Sequence, residues 1–544
     1  MKPYKYLFVL LASGAIAAGT SCKKQLNIEN PNNPTLGDAQ TESGITLLAK
    51  GAIYQNGFNG VSLSGLNWLG SSFFSLCYGY QELLADNIAA TASNQSINTI
   101  NLPAYVQLDD NTKITNTSNQ RTLLRTSNAR SARPSNAFYY EWGYMYSLNN
   151  ACNNLLTVIP NVTFSGDAAT KSNTLKAWAY WWKGYAYSRI GSLYYAGLIN
   201  NTALLTNNHY VVHDSIVAEA NRNLDAAATI LSGISNTDDY EALLTQLIPE
   251  FTIADHGGVL TPTMWLHNIN TLKARNLITN KEVSAMTSAD WNTLLTLTSN
   301  GIEEGDYVFT ARTTSTNGFM SASSGSATAM STGPSKTFTI SERLIQEYKT
   351  GDQRLSNNYV QRSTPVLNQV GGFTFSTRWY LKDAGNGISG TVTLSDLTPG
   401  NFELYINGSY EENALTRAEA LIYTGSIEQG LALIDAVRAY QGADLPAVAG
   451  TGLSLDAAKE ELRRERRVAL VFRGTAFYDA RRWGVIKDVS AGGGRSNAVV
   501  LTSAGVLNTH AIINYNFLSY WDVPADETEL NAPDATSAAV TNPN

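Results

Sequence analysis

Apolar residues return every three or four positions along most of this chain, with polar ones between them, the pattern of helices that bury one face. Ile45, Leu48, Ala49, Ala52 and Ile53 define a first helix. Phe138, Met145, Leu148, Cys152, Leu155 and Ile159 hold the spacing until Pro160, which has no N–H to continue a helix. In the next run Leu175, Trp178, Trp182, Tyr185 and Arg189 are interleaved with Ala179, Gly184 and Ala186, so large residues of one helix can meet small ones of a neighbour. Val217, Ala220, Leu224, Ala227 and Leu231 mark a further helix, and Trp265, Ile269, Leu272 and Leu277 its partner. Leu415, Ala418 and Ile422 join through Gly425-Ser426 to Ile427, Leu431, Ile434 and Val437 as an αα-hairpin.

The recurrence in pairs predicts a mostly α fold, a TPR-like α-α superhelical scaffold of helix pairs with long loops and a small β element. Residues 94–133 lack periodicity and are rich in Asn, Thr and Ser, which predicts a surface excursion. Residues 311–336 are rich in Ser, Thr and Gly and read as a loop. Residues 374–381 and 391–394 alternate like strands, and the tail after Pro533 is expected to wrap the surface.

One helical stretch breaks the pattern. In residues 455–486 the apolar face runs through Leu455, Ala458, Leu462, Ala469 and Phe472, and Glu465 falls on it. A buried carboxylate needs cationic partners, since breaking such a pair costs about 3–5 kcal/mol. Gly474 suits a helix end, after which a short second helix can bring Arg473, Arg481 and Arg482 back, while Arg463, Arg464, Arg466 and Arg467 face mostly solvent. The expectation is a structural ion-pair network of Glu465, Arg466, Asp479 and Arg482.

Residues 1–21 read as a lipoprotein signal peptide: Lys2 and Lys5 precede an apolar run over residues 7–18, shorter than the ~20 residues a spanning helix needs. Cys22 follows small residues where lipoprotein processing would acylate it, and residues 22–37 read as a lipid-anchored tether. The remaining cysteines, Cys77 and Cys152, make no disulfide framework and are expected as buried hydrophobes. Removal of Lys2 and Lys5 leaves 36 basic against 45 acidic residues, which argues against nucleic acid as a partner. The 10 Trp, 28 Tyr and 16 Phe suit helix packing and also faces on which sugar rings stack.

The string RRERRVALVFRGTAFYDARRWG resembles a C-terminal segment of the SusD/RagB family, lipoproteins that capture nutrients outside Bacteroidetes-type cells. Glu465-Arg466 match its ER pair, Phe472 to Gly474 its aromatic-x-Gly, and Asp479 with Arg482-Trp483-Gly484 its terminal block, with Arg473 where the family usually has Glu. LKAWAYWWKGYAYSRIGSLYYAGLI, EENALTRAEA, LIQEYKTGDQRLSNNY and YWDVPADETELNAP resemble further landmarks, so the likeness runs from Cys22 to the C-terminus. The resemblance implies a helical region over 38–310, a loop and short-strand insertion over 311–410 and a C-terminal helical region over 411–544. It also implies a nutrient-binding lipoprotein on the outer membrane that faces the exterior and hands its ligand to a SusC-like TonB-dependent barrel.

No G-x-S-x-G, P-loop or zincin motif is present, so neither catalytic residues nor a cofactor are expected. His209 and His213 stand four apart with Asp214 following, but no third ligand has matching spacing, and no metal is assigned. Glu82 and Asp86, one turn apart, are expected to be solvated or capping, and Glu303-Glu304 and Asp255-His256 lack support as chemistry. The favoured reading is an oligosaccharide-binding receptor, with Trp68, Tyr78, Tyr105, Trp291 and Tyr307 as ligand-binding candidates beside irregular segments. A peptide-binding member of the same transport system is the alternative, and a secreted glycoside hydrolase, with two carboxylates across a cleft, the third.

Overall fold

The computed structural model describes residues 38–55, 74–91, 96–203, 205–312, 338–367, 376–381 and 403–544. Cys22, Trp68, the signal and tether, residues 313–336 and residues 391–394 lie outside them. The main helices are α1 (Glu42–Lys50), α2 (Ala137–Val158), α3 (Ala168–Leu193), α4 (His213–Ser232), α5 (Pro262–Thr279), α6 (Ser288–Thr298), α7 (Tyr410–Tyr423), α8 (Ile427–Tyr440), α9 (Leu455–Ala469) and α10 (Ala476–Arg482). Each packs on the next from α2 to α6, α6 packs on α7, and α7 packs on α8 and α9. This run of stacked helix pairs is the TPR-like scaffold.

Helix α3 is its axis. Trp178, Trp181, Trp182 and Tyr185 are fully buried, and their rings meet Trp265 of α5 and Phe309, with Trp181 and Phe309 centroids 4.6 Å apart. A helix apolar all round must be covered on every side, and α2, α4 and α5 cover it. The approach of α4 depends on two glycines of α3. A Cβ at Gly184 would lie 2.7 Å from Leu224, and one at Gly191 would lie 2.8 Å from Val217 Cγ2 and 2.9 Å from its backbone nitrogen. Side-chain caps begin the helices: Asn136 accepts from Phe138 N–H, Asp167 from Thr170 N–H and Thr261 from Met264 N–H, each worth about 0.5–2 kcal/mol.

Residues 94–133 are not the plain excursion their composition predicts. Tyr105–Gln107 and Lys113–Thr115 extend the antiparallel pair Arg495–Leu501 and Leu507–Asn514 into a four-stranded sheet, and Gln120–Ser127 is helical. The pairing partner lies some four hundred residues away, beyond the reach of local periodicity. Thr377–Leu381 is a strand, in a second four-stranded sheet with Ile88–Ala90, Phe338–Ile340 and Tyr359–Val366. The tail after Pro533 runs along the body: Asp534 N–H donates to Asn208 O at 3.1 Å and Ala538 N–H to Tyr210 O at 2.8 Å. Cys77 and Cys152 are buried and unbridged.

The charged residues of 455–486 divide into two buried groups where one network was expected. Glu465 accepts from Arg354 and, at 2.8 Å, from Arg438. Asp479 instead accepts from Arg466 at 3.0 Å and Arg482 at 2.7 Å, and Arg482 reaches Glu419 at 2.6 Å. Glu465 and Arg466 are sequence neighbours on different sides of α9, so their partners cannot merge. Arg463 and Arg467 do not point mainly to solvent either; both donate to Glu347 at 3.1 Å. Arg473 pairs with Glu411 at 3.3 Å and covers the Tyr405 ring. Helix α9 ends at Ala469, short of Phe472, because Phe472 and Gly474 take φ of 61° and 70°.

Glu82 and Asp86 are also corrected, since both are about 1% exposed. Asp86 accepts from the Arg343 guanidinium through both oxygens at 2.8 Å and from the Tyr515 hydroxyl at 2.7 Å. Burial opposes its charge, yet Arg343 outweighs burial and holds the carboxyl below its usual range. Glu82 forms no ion pair among the described residues: burial pushes its carboxyl up to about 7 against the pull of the Asn87 amide, the Phe472 and Gly474 N–H groups and the more distant Arg467 charge.

Candidate functional site

The aromatic candidates that can be placed do not converge. Tyr78 is 4% exposed, and its hydroxyl donates to Ile406 O at 2.6 Å. Trp291 is 5% exposed and stacked on Tyr423 at 4.5 Å. Both are packing residues, which corrects the expectation that they face a ligand. Tyr105 lies in the four-stranded sheet with Lys113 3.6 Å over its ring. Tyr307 is exposed and lies against Gly258, where a Cβ would come 2.4 Å from the ring.

The Glu303-Glu304 and Asp255-His256 segments come together near Tyr410 and Tyr440, where His256 Nε2 lies 2.7 Å from the Tyr440 hydroxyl. The slot between them holds only ≈ 10 Å³, too little for a sugar ring. His209 and His213 do not share a helical face. His209 precedes a strand and meets Asp534 at 3.2 Å, whereas His213 opens α4 and stacks on Tyr520 at 3.9 Å. Among the described residues no cluster of His, Cys, Asp and Glu could hold a metal ion.

A larger cleft of ≈ 400 Å³ opens between α2, residues 198–207 and residues 527–531, a volume within the usual range of small-molecule sites. Tyr146, Asn149, Asn150 and Asn153 stand at i, i+3, i+4 and i+7 along α2, a polar stripe on a helix otherwise packed with aromatics. Asn200, Asn207 and Asn531 face them from the other two segments. Backbone geometry is fixed by part of this amide set: the Asn149 and Asn153 amides both donate to Asn200 O at 2.8 Å, and Asn531 donates to Asn207 O at 2.7 Å. Tyr146 is locked by a hydroxyl that exchanges hydrogen bonds with Leu198 N–H and C=O, and its ring lies 4.6 Å from Trp142.

Among the described residues the side-chain oxygens of Asn149 and Asn200, two residues of the cleft wall, are buried acceptors without a hydrogen-bond partner. Glu527 is held at the wall by the Trp142 indole N–H at 3.2 Å and the Asn531 amide at 2.9 Å. Behind Asn153 sits Lys183, whose Nζ donates to Asn153 and Asn201 at 2.6 and 2.9 Å and whose pKa burial lowers to about 8. Leu205 and Leu530 stand exposed on the rim. The cleft thus has a floor of amide side chains, apolar contact at its mouth and one carboxylate. Sequence reading missed it because it followed the apolar face of α2, although the run Asn149, Asn150, Asn153 was the available signal.

Residues 410–540 match the sequence profile of the SusD family. No curated protein matches the chain. The fold is similar to that of a SusD-like protein from Bacteroides fragilis NCTC 9343, with TM-score 0.56 and 13% identity over 93% of this chain and 98% of that one. A SusD superfamily protein from Bacteroides vulgatus ATCC 8482 gives TM-score 0.56 and 12% identity over 92% and 98%. Surface glycan-binding protein A from Bacteroides thetaiotaomicron gives 0.54 and 13% over 91% and 98%.

Proposed function

We propose that the chain, whose residues 410–540 match the SusD family profile and whose fold is similar to that of SusD-like proteins, is a cell-surface receptor that binds an oligosaccharide and performs no chemistry on it. The observation that supports this reading most directly is the amide-lined cleft with its apolar rim. A sugar presents many hydroxyl donors and an apolar ring face, and the floor and rim answer those two needs separately. The name of the Bacteroides thetaiotaomicron neighbour, a surface glycan-binding protein, favours a glycan over a peptide. In this reading acylation of Cys22 anchors the chain to the outer membrane, and a SusC-like TonB-dependent barrel receives the ligand. Among the described residues no helix is long and apolar enough to cross a membrane, so a lipid would supply the attachment.

The test is a glycan array and a peptide pool offered to the full chain carrying Cys22→Ser, followed by titration of the glycan that binds. Asn200→Ala leaves the backbone carbonyl that organises the cleft and removes an amide side chain from its wall, so affinity should fall about tenfold, roughly 1.4 kcal/mol, with unchanged melting. Capture of peptides alone, product release from the bound glycan, or an Asn200→Ala affinity equal to wild type would each end this reading.

A further inference from the structure

Lys183, on α3, is the only buried lysine among the described residues, at 2% exposed. No carboxylate among those residues lies within ion-pair distance of its ammonium; both partners are neutral amide oxygens, Asn153 of α2 at 2.6 Å and Asn201 at 2.9 Å. Neutral acceptors recover less than an ion pair would, so an ammonium enclosed in this way carries a cost that hydration would relieve. Its two covers differ. Asn153 is fixed in a long helix, whereas Asn201 is exposed and belongs to residues 199–203, outside any helix or strand.

Asn201 is held from its other side by α4: its amide donates to Glu219 at 2.8 Å, and Glu219 pairs with Arg222. Beside it Asn200 rests on Tyr187, its N–H donating to the hydroxyl at 2.8 Å and its carbonyl accepting from that hydroxyl at 2.9 Å. Withdrawal of residues 200–201 therefore breaks a few polar bonds, leaves the helices in place and brings water to the ammonium.

The cost belongs to the charge and not to the side chain. Burial lowers the pKa of Lys183 from the ordinary 10.5 to about 8. Between those values the closed wall holds fewer protons than an open, hydrated one, so closure gains as pH rises through that window. Of the titratable neighbours, Cys152 of α2 and Tyr187 of α3 are each pushed by burial to about 12 and keep their protons there. The Glu219–Arg222 pair of α4 meets Lys183 only through the Asn201 amide.

We infer that the Lys183 ammonium is a proton-controlled spring beneath the cleft wall: while charged it favours withdrawal of residues 200–201, and loss of its proton lets them close. Asn200 and Thr202 line the cleft, so in a glycan receptor this opening is a route for ligand release. That use rests on the function proposed above, whereas the opening itself does not.

The full chain carrying Cys22→Ser is followed by hydrogen exchange at pH 7 and pH 9, each rate divided by its intrinsic value. The Asn200 N–H reports the opening, because its bond to Tyr187 exists only while the wall is closed. At pH 7 it should be far less protected than the α3 amides beneath it, the mark of a local opening. Its protection should rise about tenfold from pH 7 to pH 9. Lys183→Met has no proton to lose and should show no such rise. Asn201→Ala, at an exposed position, hydrates the ammonium in the closed wall and should shrink the rise well below that of wild type. Protection equal to that of α3, no rise at pH 9 in wild type, or an undiminished rise in Lys183→Met or Asn201→Ala would overturn the inference. No ligand enters these measurements, so a chain that binds no glycan would end the receptor reading and leave the spring standing.

Discussion

Glu82 shows how a single side chain can set a pH response without taking part in binding. Its native pKa of about 7 lies above the ordinary 4.5, so between those values the folded state holds a proton that the unfolded state has lost. Its contribution is complete below about pH 4.5 and declines as pH rises through 7. Raising the pH from 5 to 8 should cost the wild type about 2 kcal/mol through this residue. Glu82→Gln should lose that part of the slope, as read by denaturant midpoints at the two pH values. An identical slope in the variant would show that another group titrates. The sequence revealed that Glu465 falls on a packed face, because helical periodicity is local. It could not reveal Arg354, which meets Glu465 from 111 positions away, nor that Glu82 and Asp86 enter a core built from distant strands.

Among the elements, the contact between α3 and α4 is set by what α3 lacks. Gly191→Ala would gain about 1 kcal/mol of helix propensity, yet its new methyl would meet Val217 backbone nitrogen at 2.9 Å and His213 O at 3.1 Å, groups that cannot swing aside. Helix separation should increase, with a net loss of about 1–3 kcal/mol in unfolding free energy. The same change at Gly233, at the end of α4 with ordinary φ and its nearest neighbour at 3.5 Å, should cost little, and equal losses at both sites would contradict the packing argument. The helices themselves were legible, since spacing and Pro160 lie within each segment. The short strands were not: Tyr105–Gln107 has three residues, and its identity comes from pairing with Leu507–Asn514. The candidate cleft fell between these cases. Its stripe on α2 was readable as a run of asparagines, but its other walls come from parts of the chain that only folding brings near.

At the scale of the whole molecule, the C-terminal tail is bonded into the body. Residues 534–540 bond to Asn208, Tyr210 and Val523, and Asn542 is buried with its N–H on Asp522 at 2.7 Å. Deleting residues 534–544 should therefore lower the melting temperature and also weaken glycan binding, because residues 198–207 and 527–531 then keep only their direct bonds, such as Asn531 to Asn207 O, to hold them together. Calorimetry and titration on the same sample would check both, and a truncated chain that melts and binds like wild type would show that the tail is only laid over the surface. The family resemblance was visible in the C-terminal motifs, whereas the ligand class was not, because amide acceptors suit many hydroxylated molecules.

Glu527 and Asn531 form a wall opposite α2, whose residues are made nearly four hundred positions earlier. A chain still being synthesised, or one whose translation stops early, has no closed grip to offer. The cleft is in this way assembled only once the segment that carries Glu527 and Asn531 has been made and has folded back onto α2.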